Sequence, residues 1–475
     1  MKPLLLDDER LLPTEPRVRE IAREIYRQIR GLPLVSMHGH IDAAVLALDE
    51  PFPDPARLLV VPDHYLTRML VSQGVSLESL GVPRLDGGEV ETDPRAIWRR
   101  FCAGWPLFRG TPSRLWLEQE LYEVFGVRVQ PCEQAADTIY DQIAARIAQP
   151  EFRPRRLFER FGLEILATTD SPLSSLEHHR VMAESSWRGV VVPTFRPDAL
   201  VHVDRQGWRQ DVQKLAEVSG VKTDVYSGFI AALEQRREHF VRSGARATDH
   251  GHLSADTTPL EDSAAERIYA AALAGSAGAA EARAFAAHML FEMARMSRDD
   301  GLVMQIHPGV YRNHDGGVHR RFGPDQGFDI PLAVDFVHGL RPLLARFGRD
   351  PGFRCIVFTV DETTYARELA PLAGAYPALR VGMPWWFLDS PLAMRRFREE
   401  VTETAGFYNT SGFVDDTRAF AAIPARHDVA RRVDSGFLAQ LVASGVLPFD
   451  EALDTAIDLT VTIPRAAYAP RAAAG

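Results

Sequence analysis

Short apolar runs that end in polar residues, alternating with helix-length segments, set the strongest limit on what this chain can become. LEILATTD (163–170), RGVVVPTFRPD (188–198), GARATDHG (244–251), GLVMQIHPGVYRN (301–313), FRCIVFTVDE (353–362), LRVGMPWWFLD (379–389) and FYNTSGFVDDTR (407–418) follow one another after residue 160. Segments of helical character, among them 262–297, 331–346 and 391–405, separate most of them. Alternation of this kind demands a parallel sheet with helices packed outside it, an α/β fold. A further apolar run, Leu34–Met37, brings the number of such units to about eight, which closure into a (β/α)8 TIM-type barrel accommodates. An open doubly wound sheet is the alternative, but no glycine-rich nucleotide loop follows an early strand.

The first third of the chain departs from that rhythm. Val18, Ile21, Ala22, Ile25, Tyr26 and Ile29 keep helical spacing after Thr14, Glu15 and Pro16, so the expected helix has Thr14 as its N-cap and stops at Gly31. Residues 70–160 read as amphipathic helices, which marks a helical subdomain inserted into the barrel. The expected organisation is an N-terminal helix, first strand and active-site loop over 1–69, the insertion over 70–160, and the remaining barrel over 161–475. The Ala- and Gly-rich residues 269–287 read as a surface helix pair.

Charge narrows the partners. The formal net charge of −10 excludes an overall basic face for nucleic acid, so an anionic ligand must be met by arginines gathered locally. Three widely spaced cysteines, Cys102, Cys132 and Cys355, form no disulfide framework, and reduced thiols fit a cytoplasmic protein. No apolar run reaches the length of a signal-peptide core or a membrane span.

Where the first apolar run ends, LPLVSMHGHIDA (32–43) carries His38 and His40. Residues two apart on an extended chain share one side, so two imidazoles can aim at one point just past a strand. Neutral imidazole nitrogens suit a divalent metal that takes further ligands from elsewhere. The other strand ends add His64, Tyr65, Arg196, Asp249, His250, His307, Arg312, Asp415, Asp416 and Arg418. Metal ligands, acid–base groups and anion-binding guanidiniums are all represented.

The tracts MHGHIDA, PDHYLTRM, TTDSP, PTFRPD, GARATDHG, MQIHPGVYRN, FGPDQGFD, WWFLD and DDTRAF, in this order, resemble the uronate isomerase family of the amidohydrolase superfamily. The resemblance implies a metal-dependent (β/α)8 barrel that interconverts aldo- and keto-hexuronates, D-glucuronate with D-fructuronate and D-galacturonate with D-tagaturonate. It implies His38, His40 and Asp416 as ligands of one divalent ion, expected to be zinc. The chain departs from the family at Ser36 and Met37, where an aspartate and an aromatic residue are usual, and around Asp415–Ala419, where Thr-Asp-Ser-Arg-Ser is usual.

Aldose–ketose interconversion moves a proton between adjacent carbons and stabilises an enediolate. Tyr65 and His64, with Arg418 and Asp416, are the expected catalytic groups, and a nearby cation should make the Tyr65 phenol more acidic. Arg196 and Arg418 offer forked donors to carboxylate or enediolate oxygens, and Arg312 is open between substrate binding beside Arg196 and bracing the loop with Asn313. His307 is open between metal ligand, substrate contact and packing. Trp385 and Trp386 can wall a sugar face, although one of two adjacent strand residues should turn away. Asp249 and His250 divide evenly between site and scaffold. A hexuronate as sole small-molecule partner and a homo-oligomer complete the expectation. A hydrolase of a sugar-acid lactone or ester, and a non-catalytic sugar-acid binder, are the competing functions.

Overall fold

The computed structural model describes residues 1–470. Seven short parallel staves line up as the apolar runs require. β1 (Leu34–Ser36), β2 (Leu163–Ala167) and β3 (Val190–Val192) form one ladder, and β4 (Ala247–His252), β5 (Val303–Pro308), β6 (Cys355–Val357) and β7 (Leu379–Val381) form a second. Phe195 joins the two ladders by parallel bridges to Asp170 and Thr248, and Thr410 adds an eighth extended segment beside Val381. That segment returns to the first stave through His40 N–H donating to Thr417 O at 2.9 Å and Asp416 N–H donating to His38 O at 3.2 Å. The ring closes. The fold is a (β/α)8 barrel.

Alternation along each stave separates two packing layers. Val35, Ala167, Val192, Ala247, Val303, Ile356 and Val414 point inward and form one cluster. Met304, Ile306, Val357, Leu379 and Val381 point outward against the helices. Tyr468, buried in the inner cluster, donates its hydroxyl to Gln305 Oε1 at 2.8 Å and so fills the barrel from below.

Within residues 70–160 lie the helices Pro94–Ala103, Pro112–Gln119 and Ala136–Ile147. Trp98, Phe101, Phe108 and Ile143 of this span share one apolar core with Leu34 of β1 and Leu166 of β2. These helices are therefore packed onto the first staves over a common core, and Trp116 of Pro112–Gln119 meets Tyr65 edge-on at the barrel mouth.

Local expectations differ from the structure in three places. The first helix, α1 (Pro16–Ile29), is capped by Glu15 rather than Thr14, because the longer carboxylate reaches Val18 N–H at 2.7 Å. The Ala-rich pair exists as Asp262–Ala274 and Ala279–Asp300, broken at Gly275, but each helix buries a face through Tyr269, Phe285 and Met289 and is no mere surface element. The span 331–346 is not one helix. Ile330–Pro331 pairs antiparallel with Val310–Tyr311, and only Phe336–Gly339 and Arg341–Phe347 are helical. Among the described residues no helix is long and apolar enough to cross a membrane.

Two helices on the outer layer are joined by a buried ion pair. Arg398 of Pro391–Ala405 donates Nε and Nη2 to both carboxylate oxygens of Asp434, at 2.7 and 2.9 Å, from the helix Ile423–Ala443. Removing one partner strands the other charge in the core. Asp434→Ala is expected to cost about 3–5 kcal/mol, read as a lowered midpoint in urea unfolding. An unchanged midpoint would show that the pair is dispensable.

Candidate active site

The staves deliver their polar ends to one cavity at the C-terminal mouth of the barrel. Its lining includes His38, His40, His64, Tyr65, Arg196, Asp249, His307, Arg312, Trp385, Trp386, Asp416 and Arg418. Asp325, Gly327 and Asp329 close it from the loop that follows Gly316–Phe322. All the site residues nominated from the sequence meet here except Asp415 and His250.

The seam between the first and eighth staves forms the deepest cluster. His38 Nε2 lies 3.3 Å and His40 Nε2 3.0 Å from Asp416 Oδ1. That carboxylate oxygen is buried and has no hydrogen-bond donor, although two imidazole nitrogens face it. Two nitrogens and one oxygen, converging without hydrogen bonds among them, fit a divalent ion. Asp416 reaches this position through a left-handed backbone, φ +44°. Burial alone would push its carboxyl up, but the His38 and His40 rings hold it well below the usual carboxylate range.

A second group shares His38. Asp249 Oδ1 lies 2.7 Å from His307 Nδ1, and Asp249 Oδ2 lies 3.1 Å from Arg196 Nη1. The His307 ring lies near-parallel to those of His38, at 4.7 Å, and Phe358, at 4.3 Å, with Trp385 edge-on at 4.5 Å. Asp249 thus faces the cavity. Its neighbour His250 turns to Thr248 Oγ1 at 2.9 Å and lies outside the lining, as the period of two requires.

The guanidiniums stand around the mouth, each matched by carboxylates. Arg196 donates Nε to Asp198 Oδ2 at 2.8 Å, Arg312 pairs with Asp329 at 3.0 Å, and Arg418 pairs with Asp325 at 3.0 Å. Gly251 leaves the room Arg196 needs, since a Cβ there would meet Asp198 Oδ2 at 2.8 Å. Asn313, beside Arg312, braces the loop by donating its backbone N–H to Asp329 Oδ1 at 2.5 Å.

Tryptophans 385 and 386 both face the cavity, contrary to strand alternation. β7 has ended at Val381 and the chain turns, reaching φ +63° at Phe387, so the period of two no longer applies. Trp386 lies under the Arg312 guanidinium at 5.3 Å and edge-on to His64 at 5.6 Å.

His64 and Tyr65 open the helix α2 (His64–Val71), capped by Asp63, and both rings face the cavity, stacked 5.1 Å apart. Adjacent residues on a helix ordinarily point apart, but at this N-terminus both side chains line the cavity. Burial, reinforced by Arg418, pushes the His64 imidazole down to about 3. The Tyr65 hydroxyl meets a carboxylate. It donates to Asp389 Oδ2 at 2.9 Å, and burial together with that carboxylate raises the pKa of Tyr65 well above the usual phenol value. The cation nearest it is Arg426, whose Cζ lies 5.5 Å from its ring, while Arg418 is engaged by Asp325.

Sequence reasoning passed over Asp325, Asp329, Asp389 and Arg426. The first three lie inside FGPDQGFD and WWFLD, tracts that carried the resemblance; Asp325 and Asp329 follow no apolar run, and Asp389, the polar end of the run 379–389, stands behind the more conspicuous tryptophans. Arg426 sits within a helix and has no sequence signal at all.

The sequence profile of the glucuronate isomerase family matches residues 10–462. A uronate isomerase of Rhizobium meliloti is 54% identical over 464 residues, covering 98% of this chain and 99% of the relative. The crystal structure of glucuronate isomerase from Caulobacter crescentus superimposes with a TM-score of 0.97 at 49% identity, over 98% of this chain and 97% of that one. The uronate isomerase structure from Thermotoga maritima gives 0.91 at 29% identity, over 98% and 99%.

Two measurements check the site. Wild-type protein dialysed against zinc is expected to retain about one divalent ion per chain by elemental analysis, and Asp416→Ala to retain substantially less. Equal retention would remove Asp416 from the ligand set. The His64 ring, neutral down to about pH 3, should show no imidazole titration by NMR across roughly pH 5–8, the window in which an ordinary histidine changes charge.

Proposed function

The chain belongs to the glucuronate isomerase family, and from that premise we propose that it interconverts aldo- and keto-hexuronates by proton transfer between C2 and C1. The observation that carries this reading is one cavity holding His38, His40 and Asp416 beside three guanidiniums, Arg196, Arg312 and Arg418, in a chain of net charge −10. Cations gathered so locally in an acidic protein suit an anionic sugar acid.

His38, His40 and Asp416 would hold a divalent ion, zinc by its preference for imidazole and carboxylate, which supplies positive charge that orients substrate oxygens and stabilises an enediolate. The arginines bind the carboxylate with forked donors. Trp385 and Trp386 line the sugar face and limit water. His307 contributes a fixed imidazole edge next to Asp249.

Tyr65 is the proton carrier in this reading. Its O–H points to Asp389, which leaves the phenol oxygen's lone pairs free toward the cavity. A proton taken at that oxygen is thus matched by one leaving toward a carboxylate, and no free phenolate is required. That agrees with a phenol held above its ordinary pKa better than the acidified tyrosine expected from the sequence. His64, held neutral, serves as a hydrogen-bonding wall. Three unpaired cysteines, two of them buried, fit a reducing, cytoplasmic setting.

Incubation with D-glucuronate or D-galacturonate should yield the ketose, and in heavy water deuterium should enter the carbon that receives the proton. Hydrolysis of a sugar-acid lactone without ketose formation would replace this reading by a hydrolase. Arg196→Met is expected to lower kcat/KM at least about tenfold. Tyr65→Phe should lower kcat about 10²-fold, the scale of a lost acid–base group, and normal turnover would remove Tyr65 from the proton path.

A further inference from the structure

Behind Tyr65, outside the cavity lining, a guanidinium is buried where the helix pattern gave no reason to expect one. Arg426 of Ile423–Ala443 is 3% exposed. A single nitrogen, Nη1, donates to Asp389 Oδ2 at 2.9 Å and to the Asp415 carbonyl at 3.1 Å. The Tyr65 hydroxyl donates to that same Asp389 oxygen. Arg426 Cζ lies 3.7 Å from the centre of the Trp116 ring, and Trp116, supplied by the helical insertion, meets Tyr65 edge-on at 5.7 Å.

Stability alone is a poor reason for such a group. Burying a charge pair costs several kcal/mol per ion in desolvation, and apolar replacements of similar volume are often as stable. What an apolar residue cannot do is bridge. Asp415 immediately precedes Asp416, so Arg426 Nη1 touches both the carboxylate that holds the Tyr65 hydroxyl and the backbone of the loop that carries a metal-ligand candidate. Planar guanidinium geometry fixes these two distances together.

We propose that Arg426 is a positioning residue that, through Asp389, sets the Tyr65 phenol at a fixed place relative to the Asp416 loop. The inference rests on Tyr65 carrying the proton in the isomerisation described above. Arg426 does not face the cavity, so substrate binding by Arg196, Arg312 and Arg418 is left intact and the effect falls on kcat rather than KM.

The test compares Arg426→Gln, Tyr65→Phe and the double variant with wild type, and follows kcat, KM, bound divalent ion and the ring-carbon NMR signal of Tyr65, identified as the tyrosine resonance missing from Tyr65→Phe. Arg426→Gln should lower kcat by about tenfold or more with KM within about threefold and ion content retained. In the Tyr65→Phe background the same change should cost little, because the two act as one unit. The Tyr65 resonance should shift in Arg426→Gln. An additive loss in the double variant, an unchanged kcat, or an unmoved resonance would overturn the proposal. If Arg426→Gln does not fold, Asp389→Asn carries the same comparison. Absence of ketose from wild type would defeat the isomerase reading alone, since the NMR shift still decides whether Arg426 places Tyr65.

Discussion

Two backbone hydrogen bonds, His40 N–H to Thr417 O and Asp416 N–H to His38 O, hold the molecule in its working form. They join the first stave to the eighth and close the barrel. The same contacts bring two imidazoles and a carboxylate to one point, so closure and site assembly are one event. The left-handed turn at Asp416 follows from this double duty. An extended residue there would continue the ladder and carry its side chain past the histidines.

Around that seam the protein manages charge by pairing. Every guanidinium at the mouth has a carboxylate within about hydrogen-bond distance, which lowers the cost of desolvating it. Pairing also sets the terms for a ligand, because an incoming carboxylate must improve on Asp325 or Asp329 to engage Arg418 or Arg312. Selectivity for a sugar acid over a simple anion then depends on the contacts its hydroxyls make in the rest of the cavity.

How much of this was legible in the sequence follows from how each residue is placed. His38, His40, Arg196 and His307 sit at or just after staves, where apolar runs and the period of two locate them. Trp385 and Trp386 both line the cavity, against the alternation expected of adjacent residues, because the stave ends at Val381 and the chain turns before reaching them. The partner of the Tyr65 hydroxyl is hidden for a different reason. A phenol's pKa is set by its nearest partner, and Asp389 comes from 324 residues away. Arg426 was invisible since a helix interior hides which face a bundle will bury. The 331–346 span failed through local turn chemistry, where paired strands at 310–311 and 330–331 override helical spacing.

The short staves have a kinetic meaning. β1, β3, β6 and β7 have three residues each, and the seam joins parts of the chain separated by nearly its whole length. Contacts of such long sequence separation form late, after the loop entropy between them has been overcome. The Tyr468–Gln305 contact completes the interior after most of the ring is in place along the sequence. A growing chain therefore carries its first histidine pair, exposed and unmatched, until residues beyond 416 arrive. The line that closes the finished barrel is the one that gathers the two imidazoles and the Asp416 carboxylate, and an ion clamped across it would act as a rivet on that joint.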